Sequence, residues 1–284
     1  MLTTGSLFSG AGLCDLGLSW AGFQHQFFCE IDPYCRSILT RHWPGTIIYN
    51  DVTCLTGADL PRVDVLAGGF PCQDVSSAGN RAGIKTGTRS GLWHEYRRII
   101  SEIRPRYAII ENVRGLLSLG IETVLQDLAD IGYDAEWDVL SAAACGAPHH
   151  RERVFIVAYP DSRRAGGTRR VLSPLGGLMG EHRHTHRVTD WLGIRFDRQD
   201  RTSACAAHRG SVIYRVDDGI APRLDKPYWA DRPLPPGVGR ISKPAALDML
   251  PALKALGNGI VPHQAYAIAA CILIAEGLPV PPRP

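Results

Sequence analysis

Short apolar runs alternate with stretches of helical spacing along the first 160 residues. The apolar runs predict β-strands at 4–9, 23–31, 46–50, 63–69, 107–113, 135–142 and 153–159. Apolar residues at helical intervals predict helices at 12–21, 33–43, 93–103 and 120–132. Such alternation is typical of an α/β fold with a doubly wound, mostly parallel sheet.

The pattern changes at the end of the last predicted strand. Residues 161–240 are rich in arginine, glycine and proline and show no helical period. Apolar helical spacing returns at 245–256 and at 262–277. We therefore expect a main domain at 1–160, a small irregular domain at 161–240, and C-terminal helices at 241–284 that return to the main domain.

Positive charge is concentrated in the irregular segment. Residues 161–240 contain 15 Lys and Arg against 9 Asp and Glu, whereas the net charge of the whole chain is +3. A basic segment on a mildly acidic body is typical of a protein that binds a polyanion. A solvated, arginine-rich insertion is the alternative that charge alone leaves open.

Hydropathy argues against a membrane protein. The longest apolar stretch, 265–275, is shorter than a membrane span. The first ten residues lack the basic and apolar regions of a signal peptide. We therefore expect a cytoplasmic protein that makes no membrane contact.

The eight cysteines include no C-x-x-C pair, which disfavours a zinc ribbon and a thioredoxin-type redox site. In a reducing compartment they are expected to be free thiols. The histidines within 182–186, with Cys205 and His208 nearby, have a spacing that fits no standard zinc site. We therefore expect no bound metal.

A glycine-rich turn follows the first predicted strand, in the sequence LFSGAGLCDLG. Gly10 and Gly12 allow a tight turn and a close approach to a ligand. Glu30 and Asp51 end the next two strands, where they can accept hydrogen bonds from a ribose and an adenine amine. Asp15 stands where a dinucleotide fold has its third glycine, so NAD is disfavoured. A plain tight turn is the alternative interpretation.

A single cysteine stands where the fourth strand gives way to a polar loop, in GGFPCQDVSSAGNRAG. Cys72 is therefore expected at the same sheet edge as the glycine turn, and the fifth strand brings Glu111 there. A cysteine with a carboxyl group able to carry a proton is a pair suited to covalent catalysis. Arg151 and Arg153 alternate at the start of a strand and so face the same side.

These motifs, in this order, resemble those of the cytosine-C5 DNA methyltransferase family of bacteria and phages. FSGAG resembles the first cofactor motif, GGFPCQ the nucleophile motif, ENV the glutamate motif, RER the paired-arginine motif and LGNGIVP the asparagine motif. The match runs through nearly all of the chain. It implies the fold of the S-adenosylmethionine-dependent methyltransferases, with 161–240 as the target-recognition segment.

The resemblance implies a DNA (cytosine-5-)-methyltransferase that acts on a cytosine flipped out of double-stranded DNA. Cys72 would attack C6 of the base, and Glu111 would stabilise the ring at N3. Arg151 and Arg153 would also be catalytic residues: both would favour the thiolate of Cys72, and Arg153 would reach O2 of the base. The methyl donor would be S-adenosyl-L-methionine. The glycine-rich residues after Cys72 would close over the flipped base. A monomer, with a possible companion restriction endonuclease, is the expected state.

The resemblance to this family also implies two sets of binding residues. The residues expected to bind the cofactor are Phe8, Gly10, Gly12, Glu30, Ile31, Asp51, Val52, Pro71, Leu92 and Asn258. The residues expected to contact DNA, besides the arginines of 161–240, are Ser76, Arg81 and Arg151.

The chain departs from the family pattern in three respects. One is its short recognition segment, in which the arginine-bearing motif that the family has before the last helix is not aligned. Ser6 replaces an acid that many members carry, which is expected to weaken a contact to the amino-acid end of the cofactor. His149 replaces a glutamine ahead of the arginine pair. Two other functions stay open: a catalytically idle DNA-binding relative, which the presence of Cys72 and Glu111 disfavours, and an RNA methyltransferase with the same chemistry.

Overall fold

The computed structural model describes residues 1–71, 91–145, 151–160, 171–172, 250–252, 254–255 and 259–282. The strands are β1 Thr3–Leu7, β2 Gln24–Cys29, β3 Ile47–Tyr49, β4 Val65–Gly69, β5 Tyr107–Val113, β6 Tyr133–Ser141 and β7 Glu152–Pro160. The helices are α1 Leu13–Trp20, α2 Pro33–His42, α3 Leu92–Ile103, α4 Leu116–Leu119, α5 Ile121–Asp130 and α6 Pro262–Ala275.

The seven strands form one sheet in the order β3-β2-β1-β4-β5-β7-β6. The first five strands are parallel, and the chain reverses the strand order between β3 and β4, at the centre of the sheet. β7 inserts antiparallel between β5 and β6. The prediction of a doubly wound, mostly parallel α/β sheet is confirmed.

Helices cover both faces of this sheet and bury two separate apolar clusters. On one face α1 packs closely against α6; a Cβ on Gly17 would lie 2.2 Å from the carbonyl oxygen of Pro262. On the other face α3 and α5 cover the sheet, and Trp93 and Tyr96 of α3 are fully buried. The sheet is therefore a rigid platform between two packed layers.

Most predicted elements match the observed ones to within a few residues at each end. The predictions did not include the short helix α4 or the antiparallel direction of β7. The helix predicted at 245–256 lies partly outside the described residues. Within this range 250–252 and 254–255 are described, and they are helical. Among the described helices, none has both the length and the apolar character needed to cross a membrane.

Candidate active site

The chain directs its candidate functional residues to one edge of the sheet. Parallel strands β1 to β5 all end at this edge, so the segments that follow β1, β2 and β3 meet there. Because β7 runs antiparallel, its beginning rather than its end lies at the same edge. This direction brings Arg151 and Arg153 beside Glu111 of β5.

The turn after β1 depends on two glycines with left-handed backbone angles. Gly10 has a φ of +55° and Gly12 a φ of +77°, which other residues rarely adopt. A Cβ on Gly12 would also lie 2.6 Å from the ring of Trp43, whereas one on Gly10 would meet nothing within 4 Å. The turn is thus packed at Gly12 and open at Gly10, as a ligand-binding turn requires.

Glu30 fixes this turn from the neighbouring strand. Its Oε2 accepts a hydrogen bond from the Gly10 N–H at 2.7 Å, and its Oε1 accepts one from the Asp32 N–H at 2.8 Å. Arg36 donates to the carbonyl oxygens of Glu30 and Ile31 at 3.0 and 2.6 Å. Ile31 is left 71% exposed, an apolar side chain beside a fixed carboxylate.

Asp51 and Val52 follow the end of β3 and lie at the same edge of the sheet. Asp51 caps a short helical turn by accepting hydrogen bonds from the N–H and the hydroxyl group of Thr53, at 2.9 and 2.8 Å. Arg98 donates to the Val52 carbonyl at 3.2 Å and ties this turn to α3. The backbone around both predicted cofactor residues is therefore held by side chains.

Two further predicted cofactor residues lie at α3: Phe8 packs against this helix and Leu92 begins it. Phe8 has a φ of +55°, and its ring lies 6.2 Å from the ring of Tyr96. The Tyr96 hydroxyl donates to the carbonyl oxygens of Leu66 and Ile109, at 3.1 and 2.9 Å, and so joins β4 to β5 beneath the site. Leu92, the first residue of α3, is partly buried against the same apolar cluster.

Glu111 and Arg153 form an ion pair at this edge. Arg153 Nε lies 3.0 Å from Glu111 Oε1, and the two side chains are only 7% and 13% exposed. Glu111 also lies against the backbone of β4, where a Cβ on Gly69 would come within 2.4 Å of Glu111 Oε2. The carboxyl group can therefore hold this position because residue 69 has no Cβ.

The pKa of Glu111 is raised above its ordinary value. Burial is the main cause, because it penalises the charged form, and the positive charges of Arg153 and Arg151 oppose it. A buried carboxyl group with a raised pKa beside two cations can hold or release a proton without leaving its place.

Arg151 is buried beside this pair and is 5% exposed. Its guanidinium donates to the carbonyl oxygen of Gly259, just before α6. Arg151 is predicted to contact DNA; in this structure it supports the backbone that leads into the last helix. Its DNA contact stays a prediction.

The exit of β4 is held by Asn112, which the sequence analysis did not single out. The Asn112 amide donates to the Phe70 carbonyl at 3.1 Å, and its oxygen accepts from the Val113 N–H at 2.9 Å. Asn112 is 2% exposed. Phe70 immediately precedes Pro71, so this amide fixes the backbone that leads to the predicted nucleophile.

Ser6 is buried and hydrogen-bonded to a side chain of α1. It is 1% exposed, and its hydroxyl donates to Asp15 Oδ2 at 3.3 Å inside the protein. Asp15 Oδ1 lies 3.6 Å from His25 Nδ1. The serine thus belongs to a buried polar cluster beneath the glycine turn.

Several predicted site residues lie outside the described residues. They are Cys72, Ser76, Arg81 and Asn258. His149 also lies outside them, as do Cys205, His208 and the histidines of 182–186, for which no metal site is expected. Within the described ranges no group of three or more His, Cys, Asp or Glu side chains is arranged to hold a metal ion.

The sequence did contain a signal for the role of Gly69. A glycine within an apolar strand indicates that another group approaches the backbone closely at that position. Asn112 gave no such signal, since its partner carbonyl lies 42 residues earlier in the chain.

The chain is similar to known proteins. The profile of the C-5 cytosine-specific DNA methylase family matches residues 2–178. The Type II methyltransferase M.AquIA of Picosynechococcus is 33% identical over 242 residues, which is 77% of this chain and 96% of that protein. M2.BsuMI of Bacillus subtilis is 37% identical over 54% of this chain and 41% of its own length. M.Eco47II of Escherichia coli is 40% identical over 54% of this chain and 38% of its own length.

The chain therefore spans less than half of the length of several relatives that it matches, including M2.BsuMI. Among solved structures, a protein of an E. coli prophage that is assigned as a DNA modification methyltransferase superposes with a TM-score of 0.60 at 18% identity. The superposition covers 98% of this chain and all of the other. At this identity the likeness supports the fold alone.

Proposed function

Since this chain belongs to the C-5 cytosine-specific DNA methylase family, we propose that it transfers a methyl group from S-adenosyl-L-methionine to C5 of a cytosine in DNA. The observation that carries the proposal is the buried pair of Glu111 and Arg153, at the sheet edge that also holds the glycine turn. A carboxyl group able to carry a proton and a cation at this edge support the proposal, because the cofactor is proposed to bind at the same edge.

The residues at the edge fit S-adenosylmethionine. The turn is open at Gly10, Ile31 offers an exposed apolar contact for an adenine ring, and Glu30 is fixed where a ribose would lie. Each Glu30 oxygen accepts one backbone hydrogen bond and retains capacity for another. When bound, the cofactor supplies an electrophilic methyl group on a sulfonium.

Cys72 is proposed as the nucleophile. Its thiolate would form a bond to C6, and the electrons of the C5=C6 bond would then be available at C5 to take the methyl group. Loss of the C5 proton to a base would restore the double bond and expel the thiolate. Among the described cysteines, burial raises the pKa of Cys14, Cys29, Cys35 and Cys271, so these remain thiols.

Glu111 would act on the ring during this attack. A protonated carboxyl group at N3 donates a hydrogen bond where negative charge develops, and its raised pKa favours that form. Arg153 would hold Glu111 in place and donate to O2 of the base. Their burial and their ion pair support these roles, because both side chains are already held in place.

The substrate would be double-stranded DNA, and the target base must leave the duplex to reach the site. Residues 161–240 would form the recognition segment, with arginines that contact phosphates and bases. We further propose that the protein acts in the cytoplasm as a monomer. Its similarity to Type II methyltransferases suggests a companion restriction endonuclease.

Two experiments test the proposal. Incubation of a random-sequence duplex library with S-adenosylmethionine, followed by mapping of 5-methylcytosine, is expected to reveal one target sequence. A duplex that carries 5-fluorocytosine at that target should then trap a covalent protein–DNA adduct, because fluorine cannot leave C5 as a proton.

The nucleophile is identified by comparing the amount of adduct that two cysteine variants form. Cys72→Ser should form none, whereas Cys54→Ser, which alters an exposed cysteine, should form as much as the unaltered protein. An adduct that persists in Cys72→Ser would overturn the assignment. Methylation of a transfer RNA but of no duplex in the library would favour the RNA methyltransferase instead.

A further inference from the structure

Two residues beyond β7 pack into the main domain. Val171 and Leu172 are 0% and 5% exposed, and they belong to the apolar cluster formed with β5, β7 and α6. Both lie within the basic segment predicted at 161–240. The chain is therefore fastened to the sheet before it continues into the rest of that segment.

The fastening is made by the carboxylate of Glu136 on β6. Its Oε1 accepts hydrogen bonds from the Val171 N–H at 2.7 Å and from the Tyr159 hydroxyl at 2.5 Å. Its Oε2 accepts one from the Leu172 N–H at 3.0 Å. A charged acceptor makes stronger hydrogen bonds than a neutral one, so the two consecutive N–H groups are held firmly.

The chain returns from the segment to the same pair of strands. Gln264, fully buried in the first turn of α6, donates to the carbonyl oxygens of Leu140 and Arg151, at 2.6 and 2.8 Å. The Arg151 guanidinium donates to the Gly259 carbonyl. The described residues 171–172, Gly259 and Gln264 are thus all attached to the β6–β7 hairpin, and this hairpin also carries Arg153, the partner of Glu111.

We propose that Glu136 is a positioning residue for DNA recognition. Its carboxylate fixes the backbone at 171–172, two residues of the segment proposed to contact DNA, to the sheet that also carries Glu111. The inference rests on the proposed function, since it takes 161–240 as the region that contacts DNA. Loss of the two N–H bonds should weaken productive DNA binding and leave cofactor binding and the methyl-transfer step unchanged.

Glu136→Gln tests this directly, with Tyr159→Phe as the matched control. The glutamine side chain keeps its size but loses the negative charge and one of the two acceptor oxygens. The phenylalanine removes the third donor to the same carboxylate and leaves both backbone bonds in place. Each variant is assayed for KM for the mapped target duplex, KM for S-adenosylmethionine, kcat and melting temperature.

The expected result is a KM for DNA raised about tenfold in Glu136→Gln, equivalent to the loss of one charge-assisted hydrogen bond. Its kcat and its KM for S-adenosylmethionine should match those of Tyr159→Phe, whose KM for DNA should be unaltered. An equal KM for DNA in the two variants, or a fall in kcat alone, would overturn the inference. If Glu136→Gln does not fold, Glu136→Asp is assayed in the same way, because its shorter carboxylate keeps the charge but withdraws from the two N–H groups.

The two proposals fail in different ways. Absence of DNA methylation by the unaltered protein would reject the proposed function. An active unaltered protein with no change in Glu136→Gln would reject the positioning role alone.

Discussion

Arg153 and Glu111 lie on neighbouring antiparallel strands, and their side chains pair on one face of the sheet with Nε and Oε1 3.0 Å apart. Residues 153 and 111 are diagonal neighbours in the register, since Arg153 faces Val113 and Glu111 faces Phe155. The pair therefore depends on the antiparallel insertion of β7.

Replacement of Arg153 by glutamine should raise the pKa of Glu111. The arginine favours the ionised carboxylate and burial opposes it, so removal of the cation leaves burial less opposed. If Glu111 acts in its protonated form, activity falls as pH rises through its pKa. The falling limb of the single-turnover rate should therefore move about 1 pH unit upward in Arg153→Gln, although the maximal rate is lower.

Arg114→Gln is the control for this pH profile. Arg114 pairs with the exposed carboxylate of Glu152, at 2.5 Å, and is itself 65% exposed. Loss of the Arg114 side chain should leave the falling limb of the pH–rate profile at the same pH. A limb that does not move in Arg153→Gln, or that moves to lower pH, contradicts the assigned role of the pair.

Gly69→Ala should lower the rate of methyl transfer while the fold persists. The added methyl group would stand 2.4 Å from Glu111 Oε2 and must displace the carboxyl group. A displacement of about 1 Å at a reacting group costs on the order of 100-fold in rate. Single-turnover methylation with saturating DNA measures the loss, and circular dichroism checks the fold.

The double variant Gly69→Ala/Glu111→Gln tests whether the glycine acts through the glutamate. If it does, the double variant is no slower than Glu111→Gln alone, because the same interaction is already lost. Multiplicative losses would show that Gly69 has a separate effect.

The buried Asp15 should make stability depend on pH. Burial raises the pKa of Asp15 to about 7, far above its value of 3.8 in an unfolded chain. Between these two values the folded protein binds a proton that the unfolded chain has released, so this group lowers stability as pH rises. The loss is about 4 kcal/mol across that window.

Asp15→Asn removes this contribution. The free energy of unfolding of the variant relative to the original protein should rise between pH 4 and pH 7 and stay constant above. His25 contributes in the opposite direction, because burial lowers its pKa to about 4. Its hydrogen bond to the backbone oxygen of Asp15 does not involve the side chain that is replaced. Urea denaturation at several pH values measures the difference; a difference that is constant across the range contradicts the prediction.

The sequence determined the elements and the edge at which the site lies. The periodicity of apolar residues is a local property, so it located the strands and helices within a few residues. Parallel strands end at a common edge, which predicts that Gly10, Glu30 and Asp51 lie together. The alternation of Arg151 and Arg153 likewise indicated that both face one side.

Only the tertiary structure decided the direction of β7, the pairing of Arg153 with Glu111, and the contact between Gly69 and the carboxyl group. It also directed Ser6 to Asp15 and joined Glu136 to the backbone at 171–172. Each of these depends on which segments become neighbours in space. Apolar periodicity specifies which face of an element is buried, but not the partner that covers it or the charge that burial brings close.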